Sequence, residues 1–390
     1  MNRRDFLRYT AISSTMFAFP NISFAYTNTA RINTDRRFIF IIQRGAADGL
    51  NTVIPYADPA YAKLRGALAI DVAQATKLDG MFALHPSLIE TAKLHVAGQA
   101  LFVQAVASPY RDRSHFDAQN VLETGGNTAY QLKDGWMNRL LTLLPKAQNE
   151  AIAFAATIPM ALRGKMEVSS YAASHLPQAP DDLLLRVSQL YAEDAQLNPL
   201  WQAAMQANNM ADDTSAKQDP ASLGKLAASF LSKANGPRIA MIETGGWDTH
   251  SGQEARLSRQ LTSLDQLIAA MRDGLGDTWQ KTTIIVATEF GRTAAANGTG
   301  GTDHGTGSTA LILGGDVNGG RVIADWPGLN QSNLYENRDL KPTTNLDTLI
   351  ASLASASFGL DNTLVAKTLF PESANNKSMS NKLLDGLIKT

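Results

Sequence analysis

Short apolar runs alternate along the chain with longer stretches of helical spacing. Arg37 to Gln43 (RFIFIIQ) is unbroken and β-rich and runs into Arg44-Gly45, which predicts a buried strand. Ala100–Ala107, Arg238–Glu243, Thr282–Thr288 and Ser308–Leu313 read as four further strands of the same kind. Helical patterns cover Leu88–Ala97, about 115–125 and about 135–144. Gln253–Leu275 carries Leu257, Leu261, Leu264 and Leu267 on one stripe. The stretch at about 178–234 is also mostly helical, polar on one side and broken by Asn-Asn, Asp-Asp and Asp-Pro. Strands without polar alternation need cover on both faces. The pattern therefore predicts an α/β fold, with a mostly parallel central sheet, helices on both faces and a helical insertion at about 178–234.

Composition fits that picture. Of 390 residues, 44% are hydrophobic and 18% charged, enough to bury a large core. A net charge of -1 gives no electrostatic case for nucleic acid, and no apolar run is long enough for a transmembrane anchor. The chain has no cysteine, which excludes disulfides, thiolate metal sites and a cysteine nucleophile. The chemistry must come from carboxylates, imidazoles, hydroxyls and arginines.

The first segment reads as an address. Arg3-Arg4-Asp5-Phe6-Leu7, a mildly apolar stretch to Pro20 and Ser23-Phe24-Ala25 form the pattern of a twin-arginine signal peptide over residues 1–25. Its removal takes out Arg3, Arg4, Arg8 and Asp5 and moves the net charge from -1 to -3. The expectation is a periplasmic protein delivered folded by the twin-arginine export machinery, its domain spanning 26–390.

In open α/β sheets ligands bind outside the carboxyl ends of the strands, and unusual residues gather at those places. The first strand leads into Arg44 and Asp48, the second into Arg113-Ser114-His115-Phe116-Asp117. The third leads into Gly245-Gly246-Trp247-Asp248-Thr249-His250, the fourth into Glu289-Phe290-Gly291-Arg292, and a glycine-rich loop then carries Asp303-His304. Each has a structural reading: Asp48 as a turn residue, Asp248 as a helix cap, Ser114 with Asp117 as a capping box, Trp247 as a wall. Turn chemistry does not, however, require Asp-x-His at one strand end and Asp-His at another. Carboxylates and imidazoles without thiolates suit zinc, manganese, magnesium or calcium. A serine opening a helix beside such an ion can act as a nucleophile, and arginines pair with tetrahedral anions. The cluster fits a phosphate or sulfate ester better than a peptide or glycoside. His85 reads as fixing the turn into a helix; His95 and His175 read as surface positions.

RGAADGLNTVIPY (44–56), LHPSL (84–88), SHFDAQ (114–119), GGWDTH (245–250), TEFGRT (288–293) and GGTDHGTGS (300–308) together resemble a family of exported, sulfatase-like bacterial proteins. That family is a domain of unknown function in the alkaline-phosphatase superfamily, and the resemblance runs over nearly the whole chain. It implies an alkaline-phosphatase-like fold. It also implies that Asp48 and Ser114 bind one metal, Ser114 being the nucleophile, and that Asp248, His250 and His304 bind a second. Where the superfamily has Asp-His-Gly, this chain has Glu289-Phe290-Gly291; Glu289 offers an oxygen, but Phe290 replaces an imidazole. Arg44 and Arg292 are the anion-binding candidates, with Asp303 and His115 as supports for the ligands. The sulfatase nucleophile motif is absent, so no formylglycine is expected.

Three functions compete. The first is a metal-dependent hydrolase acting on a phosphate or sulfate ester, a small molecule or an envelope component. The second is a non-catalytic, metal-stabilised periplasmic or surface protein, motivated by Phe290. The third is a phosphotransferase on an envelope component.

Overall fold

A computed structural model describes residues 35–145, 150–172, 181–210, 219–374 and 382–389. The expected signal peptide and His175 lie outside the described residues. Nine strands form the central sheet: β1 (Arg37–Gln43), β2 (Ala100–Ala107), β3 (Ala151–Phe154), β4 (Ser169–Ser170), β5 (Ile239–Thr244), β6 (Thr282–Thr288), β7 (Ser308–Leu313), β8 (Arg321–Ile323) and β9 (Thr344–Asn345). Their order is β8-β2-β7-β6-β1-β5-β3-β4, with β9 alongside β2. All pairings are parallel except those of β7, which runs antiparallel to β2 and β6. The sheet is thus mostly parallel, as the apolar runs predict.

The helices are α1 (Gly49–Thr52), α2 (Tyr61–Arg65), α3 (Ile89–Val96), α4 (His115–Thr124), α5 (Trp136–Leu141), α6 (Asp181–Tyr191), α7 (Leu197–Met210), α8 (Pro220–Leu231), α9 (Gln253–Leu275), α10 (Leu346–Phe358) and α11 (Asn362–Leu369). Strand β1 shows why its sequence lacks polar alternation. Phe38, Phe40 and Ile42 face a core with α5, α10 and α11, while Ile39 and Ile41 face another with α8 and α9. The predicted stripe of α9 is buried in that second core. Of the helices in the 178–234 stretch, α8 belongs to this layer, with Leu226, Ala227, Phe230 and Leu231 packed inside.

Three local expectations are corrected. His95 is 7% exposed, because α3 packs its ring 5.5 Å from Phe102 of β2. Ser114 stands at the N-cap of α4 without a side-chain capping bond, so no capping box forms with Asp117. Asp248 does not cap α9, whose N-cap is Gly252. His85 does fix a turn: its Nδ1 accepts from the Ser87 N–H at 3.1 Å just ahead of α3. No helix among the described residues is long and apolar enough to cross a membrane.

Candidate metal centre

The direction of β7 brings the site together. Because β7 is antiparallel, the loop before it lies at the same sheet edge as the carboxyl ends of β1, β5 and β6. His304 in that loop meets His250 after β5 and His115 at the start of α4. The loops need close backbone approach. A side chain on Gly301 would place its Cβ 2.3 Å from the His250 carbonyl carbon and oxygen. One on Gly45, at φ +117°, would come within 2.7 Å of the Asp248 nitrogen.

His115, Asp248 and His304 form a group whose ligand atoms all lie within 4.8 Å of one another, a constellation able to hold a metal ion. His304 Nε2 is 3.0 Å from His115 Nε2 and 3.0 Å from His250 Nε2. Asp248 Oδ1 is 3.0 Å from His250 Nε2 and 3.3 Å from His304 Nε2, and Oδ2 is 3.5 Å from His115 Nε2. A tetrahedral zinc centre with bonds of about 2.0–2.1 Å sets its donors about 3.3 Å apart, close to this spacing.

The far side of each ring fixes its tautomer. His115 Nδ1 donates to Glu289 Oε1 at 2.9 Å, His250 Nδ1 to Asp303 Oδ1 at 3.1 Å and His304 Nδ1 to the Arg113 carbonyl at 3.1 Å. With Nδ1 protonated, each neutral ring points a bare Nε2 lone pair inward. Two bare nitrogens at 3.0 Å repel unless a proton or a cation lies between them. The donor set therefore fits a divalent ion, and the Nδ1 bonds are the outer contacts that metal-bound histidines make.

Electrostatics agree. The Glu289 hydrogen bond lifts the His115 pKa above its ordinary value despite burial. Burial, then the neighbouring His115, lowers that of His304. Burial works against the Asp248 charge, but Arg292, whose Nη1 donates to Oδ1 at 2.5 Å, holds the carboxyl below its usual range. Glu289 is likewise buried, yet bonds from His115, Gln119 and the Gly45 N–H hold it ionised.

The remaining candidates stand elsewhere. Asp48 is 1% exposed and outside the converging donors: it caps α1, pairs with buried Arg65 through both carboxylate oxygens and accepts from Gln253 Nε2 at 2.5 Å. Glu289 is not one of the converging donors: it accepts from His115 Nδ1 on the far side of that ring. Ser114 precedes His115 in the chain, and its hydroxyl engages Tyr110. Arg44 is already bound by Glu123 at 2.9 Å and Glu243 at 2.5 Å, and Arg292 by Asp248. Arg65, Gln119, Gln253 and the Arg113 carbonyl also take part, unexpected from the sequence. Gln119, one helical turn after His115, carried a readable signal. Arg113 did not, since its left-handed φ of 59° is a product of the fold.

Fold and centre define a protein with a sheet covered by helices on both faces and a histidine–carboxylate cluster at its carboxyl edge. The chain belongs to the family described as "Protein of unknown function (DUF1501)", which matches residues 35–369. Among solved structures it is similar to the C-terminal periplasmic domain of EcEptC from Escherichia coli (12% identity, 90% of this chain and 88% of that chain, TM-score 0.41). It is also similar to a protein in the alkaline phosphatase superfamily from Vibrio parahaemolyticus (12% identity, 92% and 76%, TM-score 0.41). A third likeness is to the alkaline phosphatase from the Antarctic bacterium TAB5 (11% identity, 73% and 94%, TM-score 0.34). Comparison with curated proteins gives no match.

Proposed function

We propose that the protein is an exported, metal-dependent hydrolase acting on a phosphate or sulfate ester, carried to the periplasm by the twin-arginine machinery. The observation that carries this reading is the convergence of bare imidazole nitrogens on Asp248, each ring oriented from behind. The side chains of Asp248 and His250 are 42% and 44% exposed, so the centre opens to solvent and an ester oxygen can reach it. When bound, a divalent ion polarises such an oxygen. Ser114, at the N-terminus of α4 beside His115, is the nucleophile of this reading. Arg292 fixes the Asp248 carboxylate, and the Arg113 carbonyl fixes the His304 ring.

The test combines metal analysis with turnover of aryl phosphates and aryl sulfates. One equivalent of metal is expected, with turnover lost in both His304→Ala and Ser114→Ala but metal retained in Ser114→Ala. A second reading, a non-catalytic metal-stabilised protein, is favoured by Asp48, whose commitment to Arg65 leaves it outside the donor set. It predicts metal-dependent melting without turnover on any ester. Fusion of residues 1–25 to a folded reporter, with Arg3 and Arg4 changed to lysine, tests the export route.

A further inference from the structure

A polar pocket lined by none of the metal donors lies where β2 ends. Strand β9 pairs in parallel with Val106–Ala107 and passes directly into α10, whose N-cap is Asn345. Between these elements is a cavity of about 190 Å³ lined by Ala107, Arg111, Thr343, Thr344 and Asn345, with Leu384 on one side. We propose that this cavity is a binding site for a small tetrahedral oxyanion, phosphate or sulfate, separate from the metal centre.

Three features point there. Arg111 makes two hydrogen bonds, both through Nη1 to the backbone carbonyls of Ser108 and Tyr110, and pairs with no carboxylate among the described residues. Its Nε and Nη2 remain available for the two-pronged contact that guanidinium makes with oxyanions. Thr344, 2% exposed, and Thr343 both line the cavity, and neither hydroxyl has a partner. Buried hydroxyls normally find one, so these two donors are held for something else. Finally, the thirteen-residue helix α10 starts here, and its first N–H groups and dipole favour an anion. The acid in that first turn, Asp347, does not line the cavity and instead accepts from Ser373 Oγ at 2.6 Å. The size bears on the ligand class: pockets for drug-sized molecules run to roughly 300–1,000 Å³, so a single small anion fits and a nucleotide does not. Burial also lowers the Arg111 pKa, with only Tyr335 acting the other way, as expected of a guanidinium awaiting a counter-charge.

Calorimetric titration of the full chain with inorganic phosphate tests the site, using EDTA-stripped wild type and stripped His304→Ala. Both are expected to bind phosphate with the same affinity, sulfate competing, because the metal centre takes no part. Arg111→Gln should weaken binding about tenfold or more, since a charged hydrogen-bonded contact is lost. Thr344→Val, of the same shape, should weaken it severalfold. Should Arg111→Gln fail to fold by circular dichroism, Thr344→Val alone decides. No phosphate binding by stripped wild type, or undiminished binding in every folded variant, overturns the proposal. Metal titration of the same proteins reports separately on the metal centre.

Discussion

The Phe290 ring lies against the His115 imidazole, centroids 4.9 Å apart and planes 27° from parallel. At position 290 an apolar ring thus backs the imidazole that arrives from α4. Phe290 is 3% exposed, so Phe290→Ala opens a cavity and should cost about 3–5 kcal/mol of stability. Phe290→Leu keeps most of the volume but not the stacked face. It is expected to fold normally and to bind zinc several times more weakly, as read by chelator competition; unchanged affinity would show that the stack plays no part in holding His115.

Glu289 acts on the centre through His115. Its Oε1 receives the His115 Nδ1–H, the Gln119 amide and the Gly45 N–H. Glu289→Gln keeps the shape but removes the charge that strengthens the His115 donor. Changes at such outer contacts commonly cost 10–100-fold in metal affinity, and a loss of about that size is expected here. Measured by competition with a chromogenic chelator, an affinity equal to that of wild type would rule the coupling out.

Metal binding should depend on pH in a definite direction. The His115 pKa is raised above the ordinary value of about 6.5. For a group raised on folding, the stabilisation is complete below the unfolded pKa and is lost as pH rises through the folded one. Metal-free protein therefore loses this contribution on going from mildly acidic to mildly basic solution. Over the same window His115 gives up its proton and becomes able to bind an ion, so the melting increase produced by zinc should grow with pH. Melting curves with and without zinc at several pH values check both signs; a zinc effect that shrinks as pH rises contradicts the assigned donors.

Much of the fold was legible because burial on both faces leaves an unmistakable trace. Phe38 to Ile42 need apolar partners on each side, and the helices that supply them carry stripes such as Leu257–Leu267. His115 looked like a support for the ligands, yet it belongs to the donor group; the gathering of Asp248 and His304 was legible in outline, since both sit beside strand ends. Strand direction was not: nothing in Ser308–Leu313 says that β7 runs antiparallel, although this is what places His304. Short strands such as β3 and β9 have too few residues for a periodicity. Partnerships across the fold were equally hidden. Arg65 lies in a segment with no distinguishing pattern, yet it takes Asp48 away from the other donors, and His95 looks like a surface residue until β2 covers it.

Asp347 supplies a second pH signature. The carboxyl is fully buried on α10 with a hydrogen bond from Ser373, and burial pushes its pKa up to about 6. An acid raised on folding stays neutral in the native state while the unfolded chain ionises, so stability falls as pH rises from about 4 to about 6. A shift of about two units corresponds to the order of 3 kcal/mol. Asp347→Asn removes that titration. Denaturant unfolding should show a decline across this window in wild type that is absent in the variant; parallel pH profiles would contradict it.

The pair of Asp48 and Arg65 decides whether Asp48 serves structure or metal. Both side chains are buried, at 1% and 0% exposure, and Arg65 Nε has no partner, so the guanidinium depends on this carboxylate for its counter-charge. Removing one member of a buried ion pair strands the other and commonly costs about 3–5 kcal/mol, whereas replacing both with apolar groups of similar volume is often neutral. Asp48→Asn should therefore unfold at markedly lower denaturant concentration, and the double substitution Asp48→Leu with Arg65→Met should recover much of the loss. Zinc stoichiometry should stay unchanged in the folded double variant, because His115, Asp248 and His304 remain. A drop in bound metal in that stable variant would instead make Asp48 a ligand, with Arg65 its partner only while the ion is away.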